Sequence, residues 1–510
     1  MAFEPQITQI ETKHNRKLET LKTQSSVTLN ANGEKILKVL STRALPCVTN
    51  ITVNAGTVVL EGNVFATGLV LTESGVNSIT GQSTFSATYN SQLISAESQV
   101  IADVQNVGTE NVSLSDLTVS FIEQLAVEIS VLENQKISYV SSMAPANEKI
   151  ETLAYTNLMG AKNEKFDLTT EIDLPNSVSK VLLAESYGAI KDVSASTDLV
   201  VLGGEIYTNL VYLTNDETPK LKSQLYVSDF HQEVLFTKVT SENMVFANLS
   251  TCSNDFEIQG ELTSSKGVVV LKNKFSANIF VYSEGSVEAV VDSFCPRKEM
   301  QMNFNSFVNQ KVLLSKLVTD KIDGNIVLGD DEIRIDKVVL SSAGDVYVRK
   351  AQVLDNDIII SGDAFVNVVY LLDDEERTTE AVVVEIPFET TVRVDDVVSS
   401  DTVSAKVVIK ETEARNKKSK EIDVLAEIAI NVCVLRNSDE AILSNIVIGE
   451  NRIPPESSMG IYTIEKADDC WDIAKALLVS PEMLLRQNPD LTFPITKPTQ
   501  IMIYRQQQIK

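Results

Sequence analysis

A chain of 510 residues is too long for one hydrophobic core and predicts about three or four domains. Its 43% hydrophobic and 22% charged residues are typical of a folded protein and exclude a disordered one. Forty-four basic residues against 70 acidic ones give a net charge of −26, which repels phosphate backbones and anionic lipid heads. Nucleic acid and membrane surfaces are therefore poor candidates for partners.

The N-terminus and the cysteines indicate a cytoplasmic protein. Residues 1–25 contain early acidic residues and no apolar core segment, so we expect a tail and not a secretory signal. No apolar run approaches the roughly 20 residues that span a bilayer. The cysteines form no CxxC motif and are irregularly spaced, which argues against a disulfide framework and a structural zinc site. They are Cys47, Cys252, Cys295, Cys433 and Cys470.

The body of the chain is a threefold repeat. A glycine-led apolar segment occurs at 58–71, at 200–213 and at 358–371, and the glycines are 142 and 158 residues apart. Such long spacings indicate three domains and not the turns of a solenoid. An aromatic residue follows each glycine after 26 or 27 residues. The glycines are Gly62, Gly204 and Gly362, and the aromatic residues are Tyr89, Phe230 and Phe388.

Each repeat is predicted to be built from antiparallel strands, because β-branched and aromatic residues dominate and alternation is common. We expect a mainly β protein with three sandwich-like units at 26–140, 165–290 and 310–440, of which the first is the most divergent. The repeated glycines are expected to mark a bulge or a close backbone approach within a strand. A role for them in a ligand cleft is the less favoured alternative.

The stretches that join the units have a different composition. Residues 135–164 are polar and predict a short helix around Asn147–Met159. Residues 284–310 predict a connecting strand and a linker. Residues 437–459 contain the Pro and Ser expected of a tether.

The last fifty residues predict a small α/β domain at 460–505. After a β-rich run, Asp469 can cap a helix whose apolar stripe starts at Cys470. Ser480 begins a second helix, which ends at Asn488, and residues 500–504 supply a returning strand. From Ile461 onward there are six basic and six acidic residues, so the body carries essentially the whole negative charge.

These patterns resemble two known domains. The run IYTIEKADDCWDIA followed by NPDL resembles the LysM module, and the glycine-led repeats resemble the SPOCS domain of spore-coat-associated proteins of clostridia. SPOCS units followed by one LysM module resemble the SipL-type spore morphogenesis proteins. The resemblance implies a cytoplasmic protein of the sporulating mother cell that acts at the forespore surface in spore coat assembly. It also implies that the LysM module contacts a coat morphogenetic ATPase.

No catalytic constellation is evident. His14 and His231 are far apart in the sequence, and no HExxH, GxSxG or Walker motif is present. The acidic strings at 330–332 and 373–376 lack the spacing of a calcium loop and predict solvated turns. We therefore expect no enzyme activity, no metal and no cofactor.

Two functions stay open for the C-terminal module: docking onto a protein partner, or binding of a peptidoglycan or chitin-type glycan. The missing export signal favours a protein, as do Ala467 and Thr499, which replace glycines common in LysM turns. Trp471 is either an interface hot spot or a cover for the small core. Both functions would use two loops, made of Asp468, Asp469, Cys470 and Trp471, and of Asn488, Pro489, Asp490 and Leu491.

Overall fold

The computed structural model describes residues 4–31, 33–175, 178–260, 262, 267–329, 334–452 and 459–505. In these residues the chain forms 21 strands and two short helices, which confirms the prediction of a mainly β protein. None of the helices among the described residues is long and apolar enough to cross a membrane. The acidic string at 330–332 and residues 453–458 of the predicted tether lie outside the described residues.

The first unit contains seven strands in two antiparallel sheets. One sheet is β3-β4-β5; in the other, β1 and β2 pair in succession along one edge of the long strand β7, and β6 pairs with its other edge. One apolar core draws residues from both sheets. The strands are β1 (Gln6–Lys17), β2 (Leu21–Asn30), β3 (Ile36–Asn54), β4 (Thr57–Thr72), β5 (Gly75–Asn90), β6 (Gln99–Leu114) and β7 (Thr118–Ser142).

The second and third units repeat this plan with one long strand in place of β1 and β2. In the second unit the sheets are β9-β10-β11 and β8-β13-β12, and in the third they are β15-β16-β17 and β14-β19-β18. The strands of the second unit are β8 (Asn147–Asp173), β9 (Val178–Ser196), β10 (Leu199–Thr214), β11 (Leu221–Leu235), β12 (Met244–Gln259) and β13 (Val268–Phe294). Those of the third are β14 (Lys298–Val327), β15 (Ile335–Leu354), β16 (Asp357–Leu372), β17 (Thr379–Arg393), β18 (Thr402–Lys418) and β19 (Glu421–Asn451).

The first strands of the first and second units lie where the sequence predicts no strand. About half of the predicted tail is β1, and the predicted helix around Asn147–Met159 belongs to β8. Strand β14 starts within residues 284–310, for which the sequence predicts a connecting strand and a linker. Much of the predicted tether continues β19 to Asn451. These strands are held by main-chain pairing with β7, β13 and β19, so their polar side chains carry little of the signal that sequence periodicity detects.

The three units close into a ring around a pseudo-threefold axis. Leu69, Val211 and Val369, each seven residues after a repeated glycine, are fully buried in one shared apolar cluster. A cycle of hydrogen bonds joins neighbouring units in turn. The backbone N–H of Lys13 donates to Asn157 (2.8 Å), that of Thr156 to Asn309 (2.8 Å), and that of Val308 to Gln135 (3.3 Å).

A disulfide joins the first unit to the second, although the cysteine spacing argued against a disulfide framework. The bond links Cys47 in β3 to Cys252 in β12, with 5.1 Å between the Cα atoms. The two residues are 205 positions apart in the chain, so only the packing of the units brings them together. Cys295 and Cys433 are buried and free.

The C-terminal module comprises residues 459–505. Its elements are β20 (Met459–Ile464), α1 (Cys470–Ala476), α2 (Pro481–Gln487) and β21 (Thr499–Tyr504), and β20 and β21 form an antiparallel pair. The core of the module also contains Phe294, from the end of β13 in the second unit. The module therefore packs directly against the body.

Candidate functional site

The first predicted contact loop, Asp468–Trp471, starts helix α1. The Asp469 side chain caps the helix by accepting from the Trp471 backbone N–H at 2.9 Å. It also lies 3.4 Å from the Lys149 ammonium of β8. Asp468 is exposed and Cys470 is half-buried. The loop is thus shared between helix capping and contact with the second unit.

Trp471 is turned towards the body of the protein. It is only 7% exposed, and its indole Nε1 donates to the Asp292 carboxylate at 2.7 Å. Its ring meets the ring of Phe294 edge-on, with 5.1 Å between the centroids. The Lys475 ammonium, one turn further along α1, donates to both Asp292 oxygens at 2.7 and 2.8 Å.

The second predicted loop, Asn488–Leu491, is more open. Asn488 ends α2, and its side-chain amide bonds both the N–H and the C=O of Met502, at 2.8 and 2.9 Å. Pro489 and Asp490 are exposed. Leu491 packs on the same core cluster as Cys470, so both loops border one core. Pro489 and Asp490 are the members of the predicted site that are most open to a partner.

The outer face of the β20–β21 pair is apolar and exposed. Met459 lies opposite Tyr504, and Ile461 lies opposite Met502. Ile461 is 66% exposed, and Met459 and Tyr504 are each 54% exposed. Sequence reasoning assigned Ile461, Met502 and Tyr504 only to strands, and Met459 to the tether.

Sequence reasoning also missed the residues of the body that hold the module. They are Asp292, Phe294 and Lys149, about 180 to 320 positions from their partners in α1 and its cap. Asp292 and Phe294 lie in the stretch VVDSFCP, residues 290–296. Nothing local in it indicates a contact with Trp471, because that contact depends on how two domains pack.

The repeated glycines lie in the central strands β4, β10 and β16, away from the module. Gly62 pairs with Phe85, Gly204 with Phe230, and Gly362 with Phe388. In the first unit the aromatic counterpart is therefore Phe85 and not Tyr89, which pairs with Val58. The connection between β4 and β5 is shorter than those between β10 and β11 and between β16 and β17, which moves the aromatic residue closer to the glycine.

A cluster of buried ionisable groups lies where the three units meet. Arg43 of the first unit stacks over the Tyr187 ring of the second at 3.7 Å. Asp345 of the third accepts from the Asn106 amide at 3.0 Å, and the same amide donates to Glu123 at 2.5 Å. Burial and the charge of Asp345 raise the pKa of Glu123 to about 8.

The two histidines lie apart. His14, in β1, is 3.3 Å from the Glu133 carboxylate, and burial lowers the pKa of its imidazole. His231 is exposed in β11. Within the described residues, no group of three or more His, Cys, Asp or Glu side chains is arranged to hold a metal ion.

Comparison with known families gives one match. Residues 334–417 match the family model described as SipL, SPOCS domain. The matched range corresponds to β15 to β18, the meander of the third unit and the first strand of its closing hairpin. No curated protein and no solved structure matches the chain. The match supports a relation to SipL-type proteins and indicates a sporulation-related protein.

Proposed function

We propose that this chain is a non-enzymatic scaffold of spore coat assembly whose C-terminal LysM-like module docks onto a coat morphogenetic ATPase at the forespore surface. The observation that carries the proposal is the SipL SPOCS match at 334–417. The other two units share its strand order and its glycine–aromatic pairs, and we infer that they are SPOCS domains as well.

The charge distribution and the surface of the module support docking to a protein. The module is neutral, whereas the body is strongly acidic, so the module can approach a partner that the body would repel. Pro489 and Asp490 are open, and the apolar face around Ile461 adds contact area. Apolar patches bordered by polar residues are typical of sites of protein association.

Glycan binding is the alternative use of the same two loops. It would place a sugar ring between the loops, against Trp471 or its neighbours. Because Trp471 is buried against Asp292 and Phe294, a glycan would first have to displace the second unit. A protein partner can make its first contact at the open second loop, before that step.

A binding measurement with the full chain tests the proposal. Immobilised protein is titrated with the purified coat morphogenetic ATPase in one arm, and with chitin oligomers and peptidoglycan fragments in the other. Asp490→Trp, which places a bulky side chain in the open second loop, should weaken ATPase binding by about tenfold. Asp229→Trp, at an exposed position of β11, is the matched control and should not. Glycan binding without ATPase binding would contradict the proposal.

A further inference from the structure

The same β-bulge occurs near the end of the closing strand in all three units. The pairing slips between Val140 and Ser142 in β7, between Val290 and Asp292 in β13, and between Leu443 and Asn445 in β19. A bulge re-aims the side chains beside it. The residue after the bulge is neutral in the first and third units and a carboxylate in the second. The three units therefore differ in charge at one equivalent position.

That carboxylate is the point at which the module contacts the body. Asp292 accepts one hydrogen bond from the Trp471 indole and two from the Lys475 ammonium, all at 2.7 to 2.8 Å. Phe294, two residues further on, enters the core of the module. Hydrogen bonds that involve an ionised group are about twice as strong as neutral ones, so Asp292 is the strongest polar link in this contact.

The contact covers the first of the two loops that the proposed function needs. Trp471 is buried, and Lys149 of β8 reaches Asp469 from the same side. A partner that uses the first loop must therefore separate α1 from the end of β13. The second loop and the apolar face of the β20–β21 pair stay accessible in the docked arrangement.

We propose that Asp292 is an intramolecular latch that holds the C-terminal module on the second unit and covers Trp471, and that opening this latch admits the partner to the first loop. This inference rests on the proposed function for the identity of the partner, but not for the latch itself. When the closed state dominates, the apparent affinity of the partner is reduced by the fraction of molecules that are open. A partner that binds the second loop first would shift the population towards the open state.

The fluorescence of Trp471 measures the latch directly, because it is the only tryptophan of the 510-residue chain. Acrylamide quenching is measured on the full-length wild type, on Asp292→Asn and on the control Asp229→Asn. Asparagine keeps the size of the side chain and an acceptor for the indole but removes the charge that holds Lys475. A second variant, Lys149→Gln, loosens the same contact from β8 and leaves Asp292 in place.

We expect the quenching constant to rise several-fold in Asp292→Asn, to rise less in Lys149→Gln and to stay at the wild-type value in the control. Binding of the morphogenetic ATPase should become about tenfold tighter in Asp292→Asn if about one tenth of the wild-type molecules are open. Unchanged quenching in Asp292→Asn, with the fold intact by circular dichroism, overturns the latch. If Asp292→Asn shows higher quenching but binds the ATPase with the affinity of the wild type, the claim that the latch covers the binding loop is wrong.

The two proposals fail in different ways. If quenching rises in Asp292→Asn and neither protein binds the ATPase, the latch stands and the proposed function is wrong. If the wild type and the variant bind the ATPase with equal affinity and acrylamide quenches the fluorescence of both equally, the proposed function stands and the latch is wrong.

Discussion

Gly204 lies where two neighbouring strands leave no room for a side chain. A Cβ atom at this position would come within 2.2 Å of the Ala189 carbonyl oxygen and 2.5 Å of the Phe230 ring. Gly62 and Gly362 meet the rings of Phe85 and Phe388 in the same way. The glycine of each repeat is thus required by the aromatic residue that packs over it on the adjacent strand.

Gly204→Ala should lower the free energy of unfolding by about 1–3 kcal/mol, because the added methyl group meets backbone atoms that cannot rotate away. Urea denaturation followed by circular dichroism measures the change. Gly108→Ala is the matched control, since its Cβ would meet no atom within 4 Å. Equal midpoints for the two variants would contradict this explanation of the repeat signature.

Glu123 is a residue whose protonation is tied to folding. Its carboxyl accepts hydrogen bonds from Asn106 and from the Thr109 hydroxyl, and burial together with Asp345 raises its pKa to about 8. Burial also raises the pKa of Asp345, to about 6. The folded state therefore holds protons that the unfolded chain releases near the ordinary pKa values, 4.5 for Glu123 and 3.8 for Asp345.

The free energy of unfolding should accordingly fall as the pH rises from about 5 to about 8. The fall is at most about 1.4 kcal/mol per pH unit for each proton that the folded state holds and the unfolded chain has released. Below the unfolded pKa the contribution of Glu123 is complete, and above the folded pKa it is lost. Glu123→Gln should flatten this decline, as measured by urea midpoints at pH 5.5, 7 and 8.5. Glu110→Gln, an exposed neighbour on β6, should keep the wild-type slope.

At the scale of single elements, the sequence predicts features that depend on neighbouring residues, such as helix caps. It does not predict the pairing of strands that are distant in the chain. Asp469 and Ser480 cap α1 and α2 through their own side chains, so both helix starts could be predicted from a few residues. Strand β8 begins with a polar stretch that also suits a helix. Its pairing with β13, more than 100 residues away, decides for a strand.

The Cys47–Cys252 disulfide links β3 of one unit to β12 of the next. Replacing both cysteines with alanine should lower the free energy of unfolding by up to about 5 kcal/mol, because the bond closes a loop of 205 residues. Thermal unfolding with and without dithiothreitol measures the effect. The reductant should lower the midpoint of the wild type and leave the double variant unchanged. An equal response of both proteins would show that the bond does not support the junction.

At the scale of the whole molecule, the sequence revealed three repeats but not that they close into a ring. Closure depends on equivalent residues that meet across the axis, such as Leu69, Val211 and Val369. The same limit applied to the candidate site. The order of residues in the module indicated which loops would bind a partner, but Trp471 is covered by a carboxylate 179 residues earlier in the chain.

Closure of the ring buries apolar residues of each unit that would be exposed in an isolated unit. The third unit, residues 298–451, contributes Leu340 and Val369 to the apolar cluster at the axis. It also contributes Leu443 to a second apolar cluster that includes residues of the other two units. Cut from the chain, the unit exposes these side chains to water, and apolar patches of this kind drive association.

We expect the isolated third unit to self-associate, most simply as a closed trimer in which copies replace the missing units. Size-exclusion chromatography with light scattering measures the mass. Val369→Lys in the same fragment should reduce association, because it places a charge at the axis that each copy would have to bury. A folded, monomeric third unit without the substitution would mean that the ring is a weak assembly of independent domains.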